Sequence, residues 1–454
     1  MIAAMNTKTP GTSKSKLPKK ILVVGGGGRE HAIVRQLAMD SRVSVVYAAP
    51  GSDGMRGQAK VECLSLPLND PEFGQLLNFA ADAKVELIVI GPEQPLADGL
   101  ADLARDRGFR VFAPSKEGAR LEASKIHAKE LMKAAGVRTA RSFVVSSVKE
   151  TLDAASNFKP PFVLKADGLA AGKGVFIDRD LASLEKSARF LFEEKGLGDA
   201  GTQALLEEFS PGVELSHLVL TNGHEFISMP GARDHKRLLD GDEGPNTGGM
   251  GVIAPIALED GLLEKIERDV VAPVIREIER CGFLFRGVLY FGLMLTKEGP
   301  SVLEFNTRFG DPEAQVLMTL LDEKNGPAWL EVLTSIADGE CPKVTWHQDR
   351  SVACLVLAAE GYPEKPVKGA PIAGLEEEGG LEETPSGATK ETAYVLHAGT
   401  RLVNGRFTAN GGRVLNVVGV SDEGLDQALE RAYAAAKSVT WSGRQMRTDI
   451  GHNR

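Results

Sequence analysis

At 454 residues the chain is longer than one ordinary core can organise, so about two to four domains are expected. A hydrophobic fraction of 43% and a charged fraction of 25% fit a soluble globular protein. A net charge of −9 argues against non-specific nucleic-acid binding, which needs a basic footprint, and leaves room for small anionic substrates in a local basic pocket.

No apolar run reaches the roughly 18 residues needed to cross a bilayer, so no membrane association is expected. None of Cys63, Cys281, Cys341 and Cys354 sits in a C-x-x-C pair, and scattered thiols fit the reducing cytoplasm. Residues 1–19 carry Lys8, Lys14, Lys16 and Lys19 among Ser, Thr, Pro and Gly, without the apolar stretch of a secretory signal. They are expected to form a disordered tail. From Ile21 the pattern alternates: strands at 21–24, 43–49 and 85–90, helices at 29–39, 71–83 and 97–107. That order predicts a doubly wound parallel sheet for a first α/β domain at 20–121. Its first turn, Gly25-Gly26-Gly27-Gly28, lies between strand and helix, where free amides favour an anion. A dinucleotide fingerprint would need glycine at position 30 or 31, where Glu30 and His31 stand, so a nicotinamide enzyme is disfavoured. A lone phosphate with Arg29 as counter-charge fits, and a tight turn with a solvated Arg fits equally well.

A central domain is expected at 122–331, with a helix at 124–135 and an α+β lid subdomain at about 140–210. The run Lys165-Ala-Asp-Gly-Leu-Ala-Ala-Gly-Lys-Gly174 looks like a Walker loop. It is one residue too short, and Gly174 stands where a hydroxyl would hold magnesium. Lys165 ends the apolar strand Phe162-Val163-Leu164, a costly place for an ammonium unless an anion meets it. A surface Lys before a plain hairpin is the alternative. Glu207, Glu208 and Phe209 end another strand, where backbone groups can read an adenine edge and Glu214 can bind ribose. Residues 231–256, rich in Gly, Asp, Pro and Asn, read as a working loop without regular structure. A helix near 258–281 and strands at 286–296 and 301–307 follow. Period two puts Glu304, Asn306 and Arg308 on one face of the last strand, with Leu303 and Phe305 on the other. A carboxylate and a carboxamide so spaced offer hard oxygen ligands to a magnesium ion, although ordinary polar residues on a wet face would look the same. Asp311-Pro312 reads as the cap and first position of the next helix. A third, smaller α/β domain is expected at 332–454, with strands at 351–359, 393–398 and 413–420 and a helix at 424–437.

Several blocks together resemble the ATP-grasp ligases, and among them the glycinamide ribonucleotide synthetase family. They are G-G-G-G-R-E-H-A at 25–32, G-P-E-Q-P-L at 91–96, K-A-D-G-L-A-A-G-K-G-V at 165–175 and D-H-K-R at 234–237. G-P-N-T-G-G-M-G at 244–251, E-F-N-T-R-F-G-D-P-E at 304–313 and N-G-G-R-V-L at 410–415 complete the series. The resemblance implies a three-part chain built around an ATP-grasp fold. It also implies a reaction in which ATP, glycine and 5-phosphoribosylamine give ADP, phosphate and glycinamide ribonucleotide by way of glycyl phosphate.

On that resemblance Lys125, Lys165, Gly172, Lys173 and Gly174 would hold the ATP phosphates, and Glu207, Glu208, Phe209 and Glu214 the adenosine. Glu304 and Asn306 would bind Mg2+ or Mn2+. Arg308, Asp234, His235 and Lys236 would surround the glycine and the transferring phosphoryl group, with Asn246 and Thr247 on a loop closing over them. Gly26, Gly27, Gly28, Arg29, Glu30, Pro92 and Glu93 would take phosphoribosylamine. Many ATP-grasp enzymes carry a further acid on the preceding strand, but Tyr290 to Met294 supplies none. A cytoplasmic monomer or weak homodimer is expected. Rival readings are another ATP-grasp ligase of purine synthesis and a catalytically silent nucleotide-binding subunit.

Overall fold

A computed structural model of the protein describes residues 16–70, 72–170 and 174–452. The first expected strand, Lys20–Gly25, is flanked in parallel by Val45–Pro50 and Leu87–Ile90, and Val61–Cys63 and Val111–Pro114 extend the sheet on either side. Their Val, Ile and Leu side chains are buried on both faces, as a sheet covered by helices requires. The helix expected at 97–107 is two, Glu93–Asp98 and Leu100–Asp106. Gly99 at φ +96° ends one and begins the other, a conformation that favours glycine.

This sheet does not stop at the first domain. Phe285 and Arg286 pair with Pro114 and Ala113, so the long strand Phe285–Thr296 continues it in antiparallel fashion. Val213–Thr221 lies on one side of that strand and Gly299–Asn306 on the other. The strand expected to hold a metal is thereby joined through Phe285–Thr296 to the first domain.

Strict alternation along 302–308 fails at one place. Leu293 pairs with Val302 and Gly292 with Glu304, leaving Leu303 as an extra residue in a bulge. Val302 and Phe305 therefore both enter the core, where Phe305 meets Phe291 edge-on at 5.4 Å, while Leu303 stays half-exposed. Beyond the bulge Glu304, Asn306 and Arg308 alternate with the buried Phe305, Thr307 and Phe309, as expected.

The lid is an antiparallel sheet in the order Ser142–Val145, Ala204–Glu208, Phe162–Ala166, Val175–Asp178. Helices Val148–Ala155 and Leu181–Phe192 cover it around a small core that includes Leu164, Leu184 and Leu206. Residues 231–256 are more ordered than expected. Arg233–Asp234 and Gly251–Ala254 join the last domain's antiparallel sheet, and Arg237–Leu239 pairs with Glu243–Asn246 as a hairpin. Burial of Met250, Val252 and Ile253 accounts for this. The expected border at 331/332 falls inside the helix Trp329–Asp338, whose buried Trp329 donates Nε1–H to the Met318 carbonyl. That helix and the hairpin Thr400–Val403/Arg406–Ala409 were not foreseen.

Candidate active site

Four elements converge beside Gly299–Asn306. From the lid, Lys165 Nζ donates to the bulged Leu303 carbonyl at 3.1 Å and pairs with Glu207 at 2.8 Å. The other Glu207 oxygen meets Lys129 at 3.0 Å, and Lys129 also donates to Thr139 and Ala140. The Glu207 carboxylate thus lies buried between two lysines, so any contact with an adenine edge falls to its backbone. Glu208 pairs with Arg141 at 2.8 Å, so its carboxylate is engaged as well, while Phe209 is exposed. Of the lid glycines, Gly174 accepts the Ala166 N–H at 2.8 Å, and Gly172 and Lys173 lie outside the described residues.

Lys125 starts the helix Lys125–Ala134. Ser124 caps that helix and, with the Ile126 N–H, is held by Asp167 from the lid loop. Burial pushes the Lys125 ammonium below its ordinary pKa, with Glu304 opposing and Lys165 adding to the fall. Burial works to raise Glu304, but Lys236, Lys165, Lys125 and Arg308 together hold it below the usual carboxylate range. Gly292 faces Glu304 across the ladder, where an added Cβ would come within 3.1 Å of the Glu304 Cγ.

A small cavity beside this strand is lined by Glu214, Ser216, Asp234, Lys236, Tyr290 and Glu304. Lys236 pairs with Glu214 at 3.2 Å, which links the reaction centre to the residue expected to hold the adenosine. Asp234 Oδ1 is buried with no hydrogen-bond partner among the described residues. Burial, then the neighbouring Glu313, raises its pKa well above the ordinary value. Glu313, expected only to open a helix, accepts from Tyr290 at 2.9 Å and Ser216 at 3.1 Å.

Two expected reaction-centre residues, His235 and Thr247, brace the backbone around Lys236. His235 Nδ1 lies 3.1 Å from the Gly251 carbonyl and its Nε2 accepts the Gly451 N–H at 3.3 Å, so both ring nitrogens brace the backbone. Thr247 donates both N–H and O–H to the Lys236 carbonyl, at 2.8 and 2.9 Å, and fixes that lysine's backbone. The 244–251 loop is pinned from the last domain: Tyr362 Oη accepts the Gly248 N–H at 3.0 Å, and Arg413 binds the Gly248 carbonyl. Asn246 is exposed on the hairpin. Arg413 also pairs with Asp311 at 2.9 Å, so Asp311 is no helix cap; Pro312 holds that position.

At the glycine turn the helix N-terminus already has its anion. Glu30 Oε2 accepts the Gly27 N–H at 2.7 Å, and its other oxygen pairs with Arg29 at 2.5 Å. Glu30 is 2% exposed and Arg29 is buried too, so the Arg is not solvated and the Gly27 amide of the turn is already engaged. Gly26 passes directly against the Gly51 carbonyl and Gly28 against Asn416. Replacing Gly26 by Ala is expected to cost about 1–3 kcal/mol, because a backbone oxygen cannot step aside. A thermal melt checks this, and an unchanged midpoint would show that the turn yields. Pro92 precedes the helix Glu93–Asp98. Glu93 lies 3.9 Å from Arg29 and 3.6 Å from Arg308, between the glycine turn and the end of the strand Gly299–Asn306.

Lys129 was missed, although a second lysine four residues after Lys125 on one helix is unfavourable without a nearby anion and was a usable signal. Arg413, Tyr362 and Glu122 carried no local signal, because their partners lie more than 100 residues away.

A lysine-lined lid facing an oxygen-bearing strand defines an ATP-grasp enzyme. Models of the phosphoribosylglycinamide synthetase N domain, ATP-grasp (A) domain and C domain match residues 19–122, 123–314 and 352–453. The chain belongs to the phosphoribosylglycinamide synthetase family. Phosphoribosylamine–glycine ligase of Caldanaerobacter subterraneus subsp. tengcongensis is 39% identical over 434 residues, 95% of this chain and 99% of that protein. The ligase of the same name from Ralstonia nicotianae is 40% identical over 436 residues, again 95% and 99%. The crystal structure of the Thermotoga maritima phosphoribosylamine–glycine ligase superposes with a TM-score of 0.79 at 33% identity, covering 95% of this chain and 99% of that one.

Proposed function

We propose that the chain joins glycine to 5-phosphoribosylamine with ATP, releasing ADP, phosphate and glycinamide ribonucleotide, a step of purine biosynthesis. The observation that carries this is full-length similarity to phosphoribosylamine–glycine ligases together with an intact cluster of Lys165, Lys236, Glu304 and Arg308. The glycine carboxylate attacks the γ-phosphorus, and the amine then attacks the resulting acyl phosphate. Little covalent work falls to side chains, so positioning and charge neutralisation carry the catalysis.

In this reading Lys125 and Lys165 meet the phosphates. Arg308 and Lys236 meet the carboxylate and the transferring phosphoryl group. The unpartnered Asp234 oxygen is suited to the glycine ammonium, whose charge would draw the acid back to carboxylate. Glu93 lies on the side of the amine substrate. Glu304 and Asn306 are hard oxygen donors, and their chemistry fits Mg2+ or Mn2+ with phosphate oxygens completing the shell. Among the described residues no cluster of three His, Cys, Asp or Glu offers an all-protein cage. Such an ion, when bound, neutralises phosphate charge.

We place the protein in the cytoplasm as a monomer or weak homodimer, without nucleic-acid or membrane partners. Its four free cysteines suit a reducing compartment, and no described helix is long and apolar enough to cross a membrane. ADP release measured with each substrate omitted in turn is the test. Turnover is expected only with ATP, glycine and phosphoribosylamine together. Turnover with a different acid, and none with glycine, would overturn the assignment.

A further inference from the structure

We propose that Glu122 is a positioning residue that fixes the Arg308 guanidinium, and that through Arg308 it governs use of the carboxylate substrate but not of ATP. The proposal rests on the assignment of Arg308 to the glycine and transferring phosphoryl group.

Glu122 lies at the end of the helix Lys116–Ala123, on the first domain's side of the seam with the central one. Its side chain is 7% exposed, and both carboxylate oxygens are used. One lies 2.8 Å from Arg308 Nη2. The other accepts the Thr307 N–H at 2.8 Å and approaches the Thr307 hydroxyl at 3.3 Å. A single buried anion therefore holds the guanidinium of one residue and the backbone of the residue before it. Such burial is costly for a carboxylate, and the cost is offset only when every lone pair finds a partner of this kind.

The rest of the Arg308 environment would not define its position without Glu122. Nη1 donates to its neighbour's carbonyl at Phe309, 3.2 Å away, and Nη2 reaches Asn306 Oδ1 only at 3.4 Å. Nε has no hydrogen-bond partner among the described residues, and Glu93, at 3.6 Å, competes for it from the other side. Loss of the Glu122 charge leaves Glu93 the nearest carboxylate, and the guanidinium moves off the metal-strand face. Lys165 and Glu207, which lie on the lid, make no hydrogen bond or ion pair with Glu122, and Lys125 feels its charge less than those of Glu304, Lys165 and Asp167, so the nucleotide side is the less affected.

Glu122→Gln keeps shape and an acceptor for the Thr307 N–H while removing the charge. With the full-length chain, ADP release is expected to show kcat/KM for glycine lowered at least about tenfold and KM for ATP changed less than about twofold. Glu122→Asp, which retains the charge, should recover part of the loss. A folded Glu122→Gln variant with unchanged glycine kinetics, or with ATP and glycine affected alike, overturns the proposal. Arg308→Lys separates it from the parent reading: if that variant alone leaves glycine kinetics intact, the role of Arg308 fails instead. In the double variant the two losses should fall well short of multiplying, since both remove one interaction; independent multiplication overturns the coupling. Should Glu122→Gln fail to fold, Glu122→Asp carries the test through its shorter reach to Arg308 and Thr307: a partial loss confined to glycine kinetics is expected, and wild-type glycine kinetics with a lowered melting temperature overturns the proposal.

Discussion

Replacing Glu304 by alanine is expected to lower ADP release at least about a thousandfold, a loss of roughly 4 kcal/mol of transition-state stabilisation, while the fold survives. The carboxylate is the negative charge that Lys236, Lys165, Lys125 and Arg308 share. Without it no carboxylate on this strand faces the phosphates, because Gly292 across the ladder has no side chain to substitute. The fold is expected to hold because Val302 and Phe305, not Glu304, enter the core. The pH dependence follows from the sign of its shift. Because the folded pKa is depressed, Glu304's ionised form contributes stability that is fully present above the ordinary carboxylate range and is lost as pH falls through the lower folded value. Across neutral and mildly acidic pH Glu304 stays ionised, so the wild-type rate profile there should report other groups. Glu304→Gln, which keeps the shape, should be nearly as inactive as alanine. Wild-type turnover in either variant, or a melting temperature collapsed with activity, would remove Glu304 from the metal site.

Much of the scaffold was legible because its causes are local. The buried run at Ile21–Val24, the turn glycines after it and the two-residue period at Glu304, Asn306 and Arg308 each follow from neighbouring residues alone. What escaped depends on distant partners. The bulge at Leu303 is set by the register against Phe285–Thr296, and it puts the Leu303 carbonyl where Lys165 can reach it. His235, expected beside the reaction centre, accepts the Gly451 N–H on Nε2, a partner 216 residues away that no local pattern announces. Glu30 lay between the two cases: an acid three residues after a helix cap commonly turns back onto the cap's N–H, and here it takes the Gly27 N–H of the glycine turn. The blocks resembling a known family were informative about reaction type, yet several of their residues serve to hold others in place. Thr247 acts on the Lys236 backbone and Arg413 on Asp311, while Tyr362, outside those blocks, holds Gly248.

Lys165→Met is expected to raise KM for ATP by about one hundredfold and lower kcat as well, with a smaller effect on KM for glycine. The ammonium is almost fully enclosed, held between Glu207 and the Leu303 carbonyl where the lid meets the strand Gly299–Asn306. A charged hydrogen bond to phosphate in so dry a place is worth more than at a surface, which makes the loss large. Removing one member of a buried pair ordinarily costs about 3–5 kcal/mol of stability, because the other is left uncompensated. Here Glu207 keeps a second cation in Lys129 at 3.0 Å, so Lys165→Met should melt only a few degrees below wild type. Lys129→Met then separates the two lysines. Its ammonium is occupied by Thr139, Ala140 and Glu207, so it should lose stability first and affect ATP binding only through Glu207. Equal effects of the two substitutions on KM for ATP would contradict this division, as would a Lys165→Met enzyme that binds ATP normally. If the division holds, the Glu207 carboxylate is the counter-ion that keeps the Lys165 ammonium aimed until the phosphates arrive.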